Sequence, residues 1–332
     1  MASIIVGCGN TKPISEDTTV YISGTYDNQA CYWTIKDGIP NRVTLKNIGT
    51  SASNAYSIFV EQKNVYIGGR TASGIPCYWK NNEIPIALSN KTGIVKSIFV
   101  NNGVVYSAGS CYECQNDCYW KNNSSPIEIA KASGATSIFV SKDNIYVAGK
   151  CYEQGVWSGT CYWVIKDDKV KERVALYDGS TSSGADVWSI FVYKDVVYTA
   201  GSYRKNGDYE PCYWVGDKFN SLIHPLLPGK DWSANSIYVD KDENVYIAGG
   251  EYGKPYYWKT SKATPELLSS AASAMAKSIF VFNGKIYVAG IIREEGNVPC
   301  CWIVDKEGKV NEILLEKAAK GTCEVTGVCV AE

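Results

Sequence analysis

The sequence predicts an all-β protein, a seven-bladed β-propeller with four-stranded antiparallel blades. Three short motifs that recur in a fixed order predict this fold. A Ser-Ile-Phe-Val-like motif is followed by a Val-Tyr-Ile-Ala-Gly-like motif, and then by a Cys-Tyr-Trp-like motif that always ends in Trp. The Val-Tyr motifs begin 40 to 52 residues apart, and such a period with four strands per repeat is typical of propeller blades.

Each motif predicts one strand of a blade, and a short apolar segment such as 84–88 predicts the fourth. The Ser-Ile-Phe-Val motifs begin at Ser57, Ser97, Ser137, Ser189, Ser236 and Ser278. The Val-Tyr motifs begin at Val20, Val65, Val105, Ile145, Val197, Val245 and Ile286. The Cys-Tyr-Trp motifs begin at Cys31, Cys77, Cys118, Cys161, Cys212, Tyr256 and Cys300.

Helical solenoids have similar periods, but the local pattern excludes them. The apolar runs are four to six residues long and rich in Val, Ile, Tyr, Phe and Trp. Turn sequences such as 101–103 and 282–284 separate them. The runs therefore form hairpins.

The chain ends predict how the ring closes. The first Val-Tyr motif, at Val20, has no Ser-Ile-Phe-Val motif at the usual spacing, whereas the chain ends in an apolar run, 326–330, with no Val-Tyr motif after it. We expect this C-terminal run to be the innermost strand of the N-terminal blade, because closure removes exposed sheet edges. A rival for this place is the segment 3–6, although it lies 17 residues before Val20 rather than eight or nine.

Composition indicates one domain, 17–332, preceded by a tail, 1–16. A closed ring of seven modules forms one cooperative unit despite the length of 332 residues. The net charge of −1 gives no basic surface for nucleic acid. No apolar stretch of about 20 residues exists for a membrane span. We expect a monomer without metal or cofactor.

The tail 1–16 resembles the end of a bacterial lipoprotein signal. A small residue precedes Cys8 and polar residues follow it, but a basic start and most of the apolar core are missing. The resemblance implies that Cys8 carries a lipid and that the domain is exported to the periplasm or cell surface. The alternatives are a cytoplasmic protein and a tail that is only a short β segment.

The repeated cysteines and tryptophans indicate packing rather than a site. Cysteines at one position of neighbouring blades lie too far apart for a disulfide, so the six repeated ones are predicted to be buried free thiols. Outside the repeats, Cys111, Cys114 and Cys151 could form a local disulfide, hold zinc together with Cys118, or stay free. The seven tryptophans are expected to pack at the seams between blades.

The candidate binding surface is the face that carries the longer connections. Connections between the second and third strands, and between blades, share this face, and they are aromatic and charged. The residues expected to bind a ligand are Tyr26, Arg70, Tyr112, Glu113, Tyr152, Glu153, Trp157, Trp188, Tyr203, Arg204, Trp232, Tyr252 and Arg293.

These residue types predict a non-catalytic binding or scaffold protein that recognises a protein or glycan around the central channel. The alternative is a carbohydrate-active hydrolase or lyase that uses loop carboxylates and Tyr. The single histidine, His224, belongs to no cluster, which argues against a histidine metal centre or a Ser-His-Asp triad. No residue is assigned as catalytic.

Known propellers are similar to this chain only in general pattern. Ile-Tyr-Val-Ala-Gly at Ile145 and Ile286 resembles the start of a kelch repeat, but the usual Gly-Gly pair occurs only at 68–69 and 249–250. The Trp also falls in a different motif. No WD40-type Trp-Asp ending and no sialidase Asp-box is found. The kelch resemblance spans about 20–330 and implies the fold without a function.

Overall fold

A computed structural model of the chain describes residues 18–49, 51–153, 156–177, 184–205, 208–216, 222–225, 232–251, 253–262, 264–293, 296–316 and 322–332. The side chains of 153, 156–158, 177, 205, 208, 222–225, 232 and 251 fall outside this description. No helix of the described residues is long and apolar enough to cross a membrane.

The described residues form 28 strands. In chain order the strands are β1 (Thr19–Tyr26), β2 (Gln29–Lys36), β3 (Ile39–Thr44), β4 (Asn54–Glu61), β5 (Asn64–Arg70), β6 (Pro76–Lys80), β7 (Ile86–Ala87), β8 (Gly93–Asn101), β9 (Val104–Cys111), β10 (Cys118–Lys121), β11 (Ile127–Glu128), β12 (Ser137–Ser141), β13 (Asn144–Glu153), β14 (Val156–Lys166), β15 (Lys169–Tyr177), β16 (Ala185–Tyr193), β17 (Val196–Lys205), β18 (Asp208–Val215), β19 (Leu222–Pro225), β20 (Trp232–Val239), β21 (Val245–Glu251), β22 (Lys254–Lys259), β23 (Glu266–Leu267), β24 (Ala274–Phe282), β25 (Lys285–Arg293), β26 (Asn297–Val304), β27 (Val310–Leu314) and β28 (Cys323–Ala331).

The strands build seven four-stranded antiparallel sheets, which confirms the predicted propeller. Blade 1 has the strand order β28-β1-β2-β3, and blades 2 to 7 are consecutive meanders from β4–β7 to β24–β27. The innermost strands β4, β8, β12, β16, β20, β24 and β28 contact one another in a closed ring. This ring surrounds the central channel.

The C-terminal strand closes the ring, as the broken first repeat predicts. β28 pairs with β1 in antiparallel register, with Ile22 opposite Val328 and Val20 opposite Val330. The rival segment 3–6 lies outside the described residues. Closure buries Val325, Val328 and Val330 and leaves β1 without an open inner edge.

A row of serine hydroxyls joins the innermost strands of neighbouring blades. The first residue of each Ser-Ile-Phe-Val motif accepts a hydrogen bond from the following blade, at 3.1–3.2 Å. The bonds run from the amides of Ile98, Ile138, Ile190, Ile237, Ile279 and Val328 to Ser57, Ser97, Ser137, Ser189, Ser236 and Ser278. At the closing seam Gly327 takes the place of serine, and Thr326 Oγ1 instead donates to the Ala55 carbonyl at 3.1 Å.

The repeated tryptophans are core residues, which confirms their predicted packing role. All seven are at most 5% exposed. In four blades the glycine that ends the Val-Tyr motif lies against the Trp ring and makes room for it: Gly24, Gly69, Gly249 and Gly290. A Cβ at Gly24 would lie 2.9 Å from Cζ3 of Trp33 and 2.0 Å from the Glu324 carbonyl oxygen, so the sheet can close here only around glycine.

The prediction of six free repeated thiols is wrong at one position. Cys161 forms a disulfide with Cys151, and their Cα atoms are 6.0 Å apart. Cys31, Cys77, Cys118, Cys212 and Cys300 are buried free thiols, as expected. The prediction compared only like positions in different blades and overlooked a partner within the same hairpin.

The face opposite the longer connections carries tight hairpin turns, as predicted. Asn102 and Gly103 both have positive φ, and so do Asn283 and Gly284, which is the backbone of a type I′ turn. These turns also contact one another around the ring, as in the 2.7 Å salt bridge between Lys194 and Glu243.

Candidate functional site

A β-bulge interrupts the innermost strand at the same place in nearly every blade. The pairing register shifts between Ala55 and Ser57, and at the corresponding step of β8, β16, β20, β24 and the closing pair β28-β1. In blade 4 the strand itself starts just after this position. We call the residues at these places the mouth ring: Tyr56, Lys96, Thr136, Trp188, Asn235, Lys277 and Thr326.

The mouth ring lies at the long-connection end of the innermost strands, around the entrance of the channel. A bulge leaves one residue out of the ladder and turns its side chain to a new direction. Trp188 is 42% exposed, whereas the preceding residue, Val187, is 1% exposed. All seven mouth-ring residues are half-buried or exposed, and the residue before each of them is buried.

Three members of the mouth ring are used to join blades. Thr136 Oγ1 donates to the Val187 carbonyl at 2.9 Å, and Asn235 Nδ2 donates to the Ala276 carbonyl at 2.8 Å. Thr326 makes the equivalent bond across the closing seam. These residues therefore hold the ring, and the remaining four, Tyr56, Lys96, Trp188 and Lys277, give the mouth its chemical character.

The mouth is basic on the side of blades 7 and 2. Burial lowers the pKa of Lys277, the neighbouring charge of Arg293 lowers it further, and Glu324 opposes the shift. Tyr56 lies near Arg70 and Glu324 in turn. The Arg70 guanidinium is positioned by a 2.9 Å hydrogen bond to Asn54 Oδ1. Glu324 thus lies close to Lys277 and to Tyr56.

Two further charged residues in or near the mouth ring, Lys150 and Lys96, each lie close to a carboxylate. Lys150 forms a 2.5 Å salt bridge with Asp186. Lys96 lies close enough to the buried carboxylate of Asp117 to lower its pKa, although burial is the larger effect and raises it. The side chain of Asp186 is mostly buried, so its negative charge is compensated inside the rim.

An aromatic collar lines the channel below the mouth. The third residue of each Ser-Ile-Phe-Val motif contributes a ring, and neighbouring centroids are 4.7–5.1 Å apart with tilted planes, a favourable aromatic geometry. The members are Phe59, Phe99, Phe139, Phe191, Tyr238 and Phe280. Cys329 takes the seventh place. Burial and the nearby Cys329 raise the pKa of the Tyr238 hydroxyl, so the channel at this level is apolar.

A groove of about 780 Å³ lies between blades 3 and 4 on the same face. Its lining includes Tyr112, Gln115, Asn116, Asp117, Lys131 and Tyr152. Tyr112 is 81% exposed and Tyr152 is 37% exposed, so two aromatic rings border a polar floor. Asp117 Oδ2 accepts the amides of Gly134 and Ala135, which ties the floor to blade 4.

Several predicted ligand residues belong to strands, not to connections as expected. Trp188 was expected in a connection between blades, but it lies in the innermost strand β16, and Trp232 begins β20. The innermost strands extend past the Ser-Ile-Phe-Val motif because the bulge lets pairing continue beyond it. The second strands extend likewise: Tyr26, Arg70, Tyr152, Glu153, Tyr203, Arg204 and Arg293 lie at their ends.

The described members of the predicted set differ in their surroundings. Tyr26 is buried, donates to Glu316 and has the Arg42 guanidinium 3.6 Å from its ring centre. Tyr203 is half-buried and donates to Glu210 at 2.6 Å.

Arg204, Glu113 and Arg293 are exposed, and Arg204 lies 5.9 Å from the ring centre of Tyr209. Tyr252 and Cys8 lie outside the described residues, as do the side chains of Glu153, Trp157 and Trp232. Among the residues that the structure describes, no group of three His, Cys, Asp or Glu side chains could hold a metal ion.

Sequence reasoning missed Lys96, Lys277, Thr136 and Asn235. A signal for them exists, since the residue directly before each Ser-Ile pair is the variable position within an otherwise repeated run. A variable residue on the innermost strand is unexpected for a core position, and it marks the bulge.

The sequence matches no protein-family model and no curated protein. Solved structures match the fold. A puromycin-hydrolysing peptidase of Mycobacterium tuberculosis is 11% identical with a TM-score of 0.63, over 91% of this chain and 52% of that one. A putative 6-phosphogluconolactonase of Bacteroides fragilis is 11% identical with a TM-score of 0.58, over 97% and 100%. A puromycin hydrolase is 7% identical with a TM-score of 0.63, over 91% and 52%.

These similarities show the fold alone. The chain spans about half the length of the two puromycin-hydrolysing proteins. Identities of 7–11% carry no residue of those proteins over to this chain.

Proposed function

We propose that this propeller is a non-catalytic recognition module that binds a carboxylate-bearing ligand, an acidic protein segment or an acidic glycan, at the channel mouth. One observation carries the proposal. The blades repeat their packing residues, but the mouth-ring position varies between blades and holds Tyr, Lys, Thr, Trp or Asn at one rim. A regular frame with variable, partly exposed residues around an opening is suited to recognition.

The charge of the rim supports a ligand with carboxylates. Lys277 and Arg293 repel each other, and Glu324 compensates them only in part. A bound carboxylate between them relieves that repulsion and accepts charge-assisted hydrogen bonds. Arg70 extends the basic rim to blade 2.

Aromatic residues of the rim supply apolar contact beside these charges. Trp188 and Tyr56 stand on blades 5 and 2 of the same mouth ring. Trp, Tyr and Arg are the residue types that contribute most to protein recognition, because they bury large areas while keeping a polar group available. This composition favours the protein ligand.

The groove between blades 3 and 4 favours the glycan. Tyr112 and Tyr152 border a floor with the side-chain amides of Gln115 and Asn116. Aromatic faces pack on apolar C–H groups while amides bond to hydroxyls. A glycan chain that occupied both the groove and the mouth would use both features.

A hydrolase or lyase is the second candidate, favoured by Asp117, whose pKa is raised by burial beside the same groove. However, Asp117 accepts hydrogen bonds from two backbone amides, which gives it a structural role. Glycoside hydrolysis also needs a second carboxyl group at a defined separation. Binding therefore ranks first. The predicted monomeric state, export and lipid anchor at Cys8 belong to the same proposal and are tested by the mass and fractionation of the mature protein.

The test is binding of the purified protein to arrays of acidic and neutral glycans and to acidic peptides, in low and high salt. We expect a mouth variant, Trp188→Ala with Lys277→Met, to lose at least about tenfold in affinity. A groove variant, Tyr112→Ala with Tyr152→Ala, should lose affinity for glycans only. Ile84→Ala, on the opposite face and 65% exposed, is the control.

The outcomes separate the two ligand classes. Binding of peptides alone assigns a protein partner, and binding of acidic glycans alone assigns a carbohydrate. An affinity that does not depend on salt concentration, or that is unchanged in the mouth variant, contradicts the proposal. Turnover of a bound glycan that is lost in Asp117→Asn would establish the hydrolase or lyase instead.

A further inference from the structure

Blade 4 fixes one place in the hairpin where two cysteines can be joined. Cys161 lies opposite Gly149 on the neighbouring strand, and Cys151 follows that glycine by two residues. The two cysteines form the disulfide of this blade. A cysteine two residues past the glycine is therefore within bonding reach of the repeated cysteine.

Blade 3 has cysteines at the same two places. Cys118 lies opposite Gly109, and Cys111 follows Gly109 by two residues. Both are free and buried. In blade 2 the repeated Cys77 lies opposite Gly69, but the second place holds Thr71, so that blade has no pair.

A third thiol joins the pair in blade 3. The Cys114 amide donates to the Cys111 carbonyl at 3.0 Å, and this turn brings Cys114 back to the hairpin. Cys114 packs against the buried cluster that contains Cys111 and Cys118, so the three thiols are neighbours. Cys114 is half-buried and lines the groove between blades 3 and 4, so solutes reach it there.

We propose that Cys114 and Cys118 form a thiol–disulfide exchange site that reacts with low-molecular-weight disulfides entering this groove. The Cys114 thiolate attacks one sulfur of the incoming disulfide, forms a mixed disulfide and releases one thiol. Cys118 then attacks the Cys114 sulfur, and the second thiol leaves. The protein loses two thiol hydrogens and two electrons, and the small disulfide is reduced to two thiols.

The roles follow from accessibility and contact. Cys114 attacks because it is the thiol of the three that is not fully buried. Cys118 resolves because it belongs to the buried cluster against which Cys114 packs, so it is the neighbouring thiol inside the blade. Cys111 can then exchange with Cys118 and give the bond that blade 4 has between Cys151 and Cys161.

The environment sets the pH range of the reaction. Burial is the main cause that raises the pKa of Cys114, and the neighbouring Cys111, Glu128 and Glu113 raise it further. The thiolate is the attacking form, so exchange is slow at neutral pH and accelerates on the alkaline side. The site is thus a slow one that responds to sustained oxidation.

The test treats the full chain with oxidised glutathione at pH 7 and pH 9, followed by alkylation and peptide mapping. We expect the wild type to lose two alkylatable thiols, faster at pH 9, and to yield a peptide linked through Cys118 to Cys114 or Cys111. Cys118→Ala should stop at a stable glutathione adduct on Cys114. Cys114→Ser should react at least about tenfold more slowly. Cys77→Ser, in the blade without a pair, should behave as the wild type.

Stable glutathione on Cys114 in the wild type, without a linked peptide, would overturn the proposal, because it shows that Cys118 does not resolve. Equal oxidation of Cys77 would also overturn it, since that indicates general opening of the blades. Far-UV circular dichroism of each variant confirms that folded protein is compared. The result is independent of ligand binding at the mouth.

Discussion

Neighbouring residues of one strand in this propeller serve opposite purposes. On β16, Val187 is 1% exposed and packs in the core, while Ser189 accepts the amide of the following blade. Trp188, between them, is 42% exposed at the channel mouth. The same alternation recurs in every blade. The repeated residues that pack between blades, which we call the frame, flank one mouth-ring residue. The repeated residues hold the ring together. The bulge residues vary: Trp188 is exposed at the mouth, whereas Thr136, Asn235 and Thr326 bond to the next blade.

The difference has a physical origin. A strand in register points successive side chains to opposite faces of the sheet, and both faces of a propeller blade are covered by neighbours. Only a bulge frees a position of the innermost strand from packing. The frame residues are therefore restricted in size and polarity, and the mouth-ring residues are not.

The largest effect is expected from removal of the closing strand. Deletion of 323–332 exposes the inner edge of β1 and removes Val325, Val328 and Val330 from the core. We expect the single cooperative unfolding transition to be lost, since a marginally stable domain does not tolerate the loss of a core strand. Urea unfolding and size-exclusion chromatography measure this. A chain lacking only Glu332 is the control, and an unchanged transition after the longer deletion would contradict ring closure.

A frame residue within a regular blade comes next. Trp120→Ala leaves a cavity at a fully buried position and should lower the free energy of unfolding by about 3–5 kcal/mol. Tyr112→Ala removes an aromatic ring of the same blade that is 81% exposed, and it should change stability by less than about 0.5 kcal/mol. Urea titrations measure both variants. Equal effects would contradict the distinction between buried packing residues and exposed residues of the same blade.

Alkaline pH tests the frame through its thiols. Burial raises the pKa of Cys301 and of Cys329 to about 12, against about 8.5 in an unfolded chain. Above that lower value the unfolded state releases protons that the folded state keeps, so stability is complete below it and declines as pH rises.

Each such thiol contributes a slope of about 1.4 kcal/mol per pH unit. Urea unfolding with reductant at pH 7, 9 and 10 should show the decline, and Cys301→Val should make it shallower. A stability independent of pH over this range would show that the thiols are not buried as described.

The smallest expected effect concerns a single hydroxyl. Ser97→Ala removes the acceptor of the Ile138 amide at a seam between blades. It should lower the free energy of unfolding by about 1–3 kcal/mol, because that amide remains buried. Ser125→Ala, on an exposed turn of the same blade, should cost almost nothing. Thermal unfolding compares the two variants. An unchanged stability of Ser97→Ala would show that the serine hydrogen bonds do not stabilise the seams.

Much of the fold could be predicted because its signals are periodic and local. Seven Val-Tyr motifs set the number of blades, and the missing partner of Val20 indicated closure by the C-terminal strand. A local disulfide at Cys151 was among the expected alternatives, but its partner Cys161 was predicted to be free, because the pairing depends on the register of one hairpin. The register of a hairpin depends on how the whole sheet pairs, so a short sequence segment does not predict it.

The site was harder to predict for a related reason. Trp188 was predicted as a ligand residue but was expected in a connection, and Tyr56, Lys96 and Lys277 were not predicted. Bulges carry no residue signature of their own here, since Tyr, Lys, Thr, Trp and Asn all occupy them. The variable residue before each Ser-Ile pair marks the position, but only the strand pairing shows that this residue leaves the ladder.

The measurement that most directly tests the division into frame and mouth ring is a paired one on Trp188→Ala. Its free energy of unfolding and its affinity for the acidic ligand found on the arrays are determined together with those of the wild type. The division predicts stability within about 0.5 kcal/mol of the wild type and an affinity reduced at least about tenfold. A variant that is destabilised by several kcal/mol, or that binds as the wild type does, would contradict it.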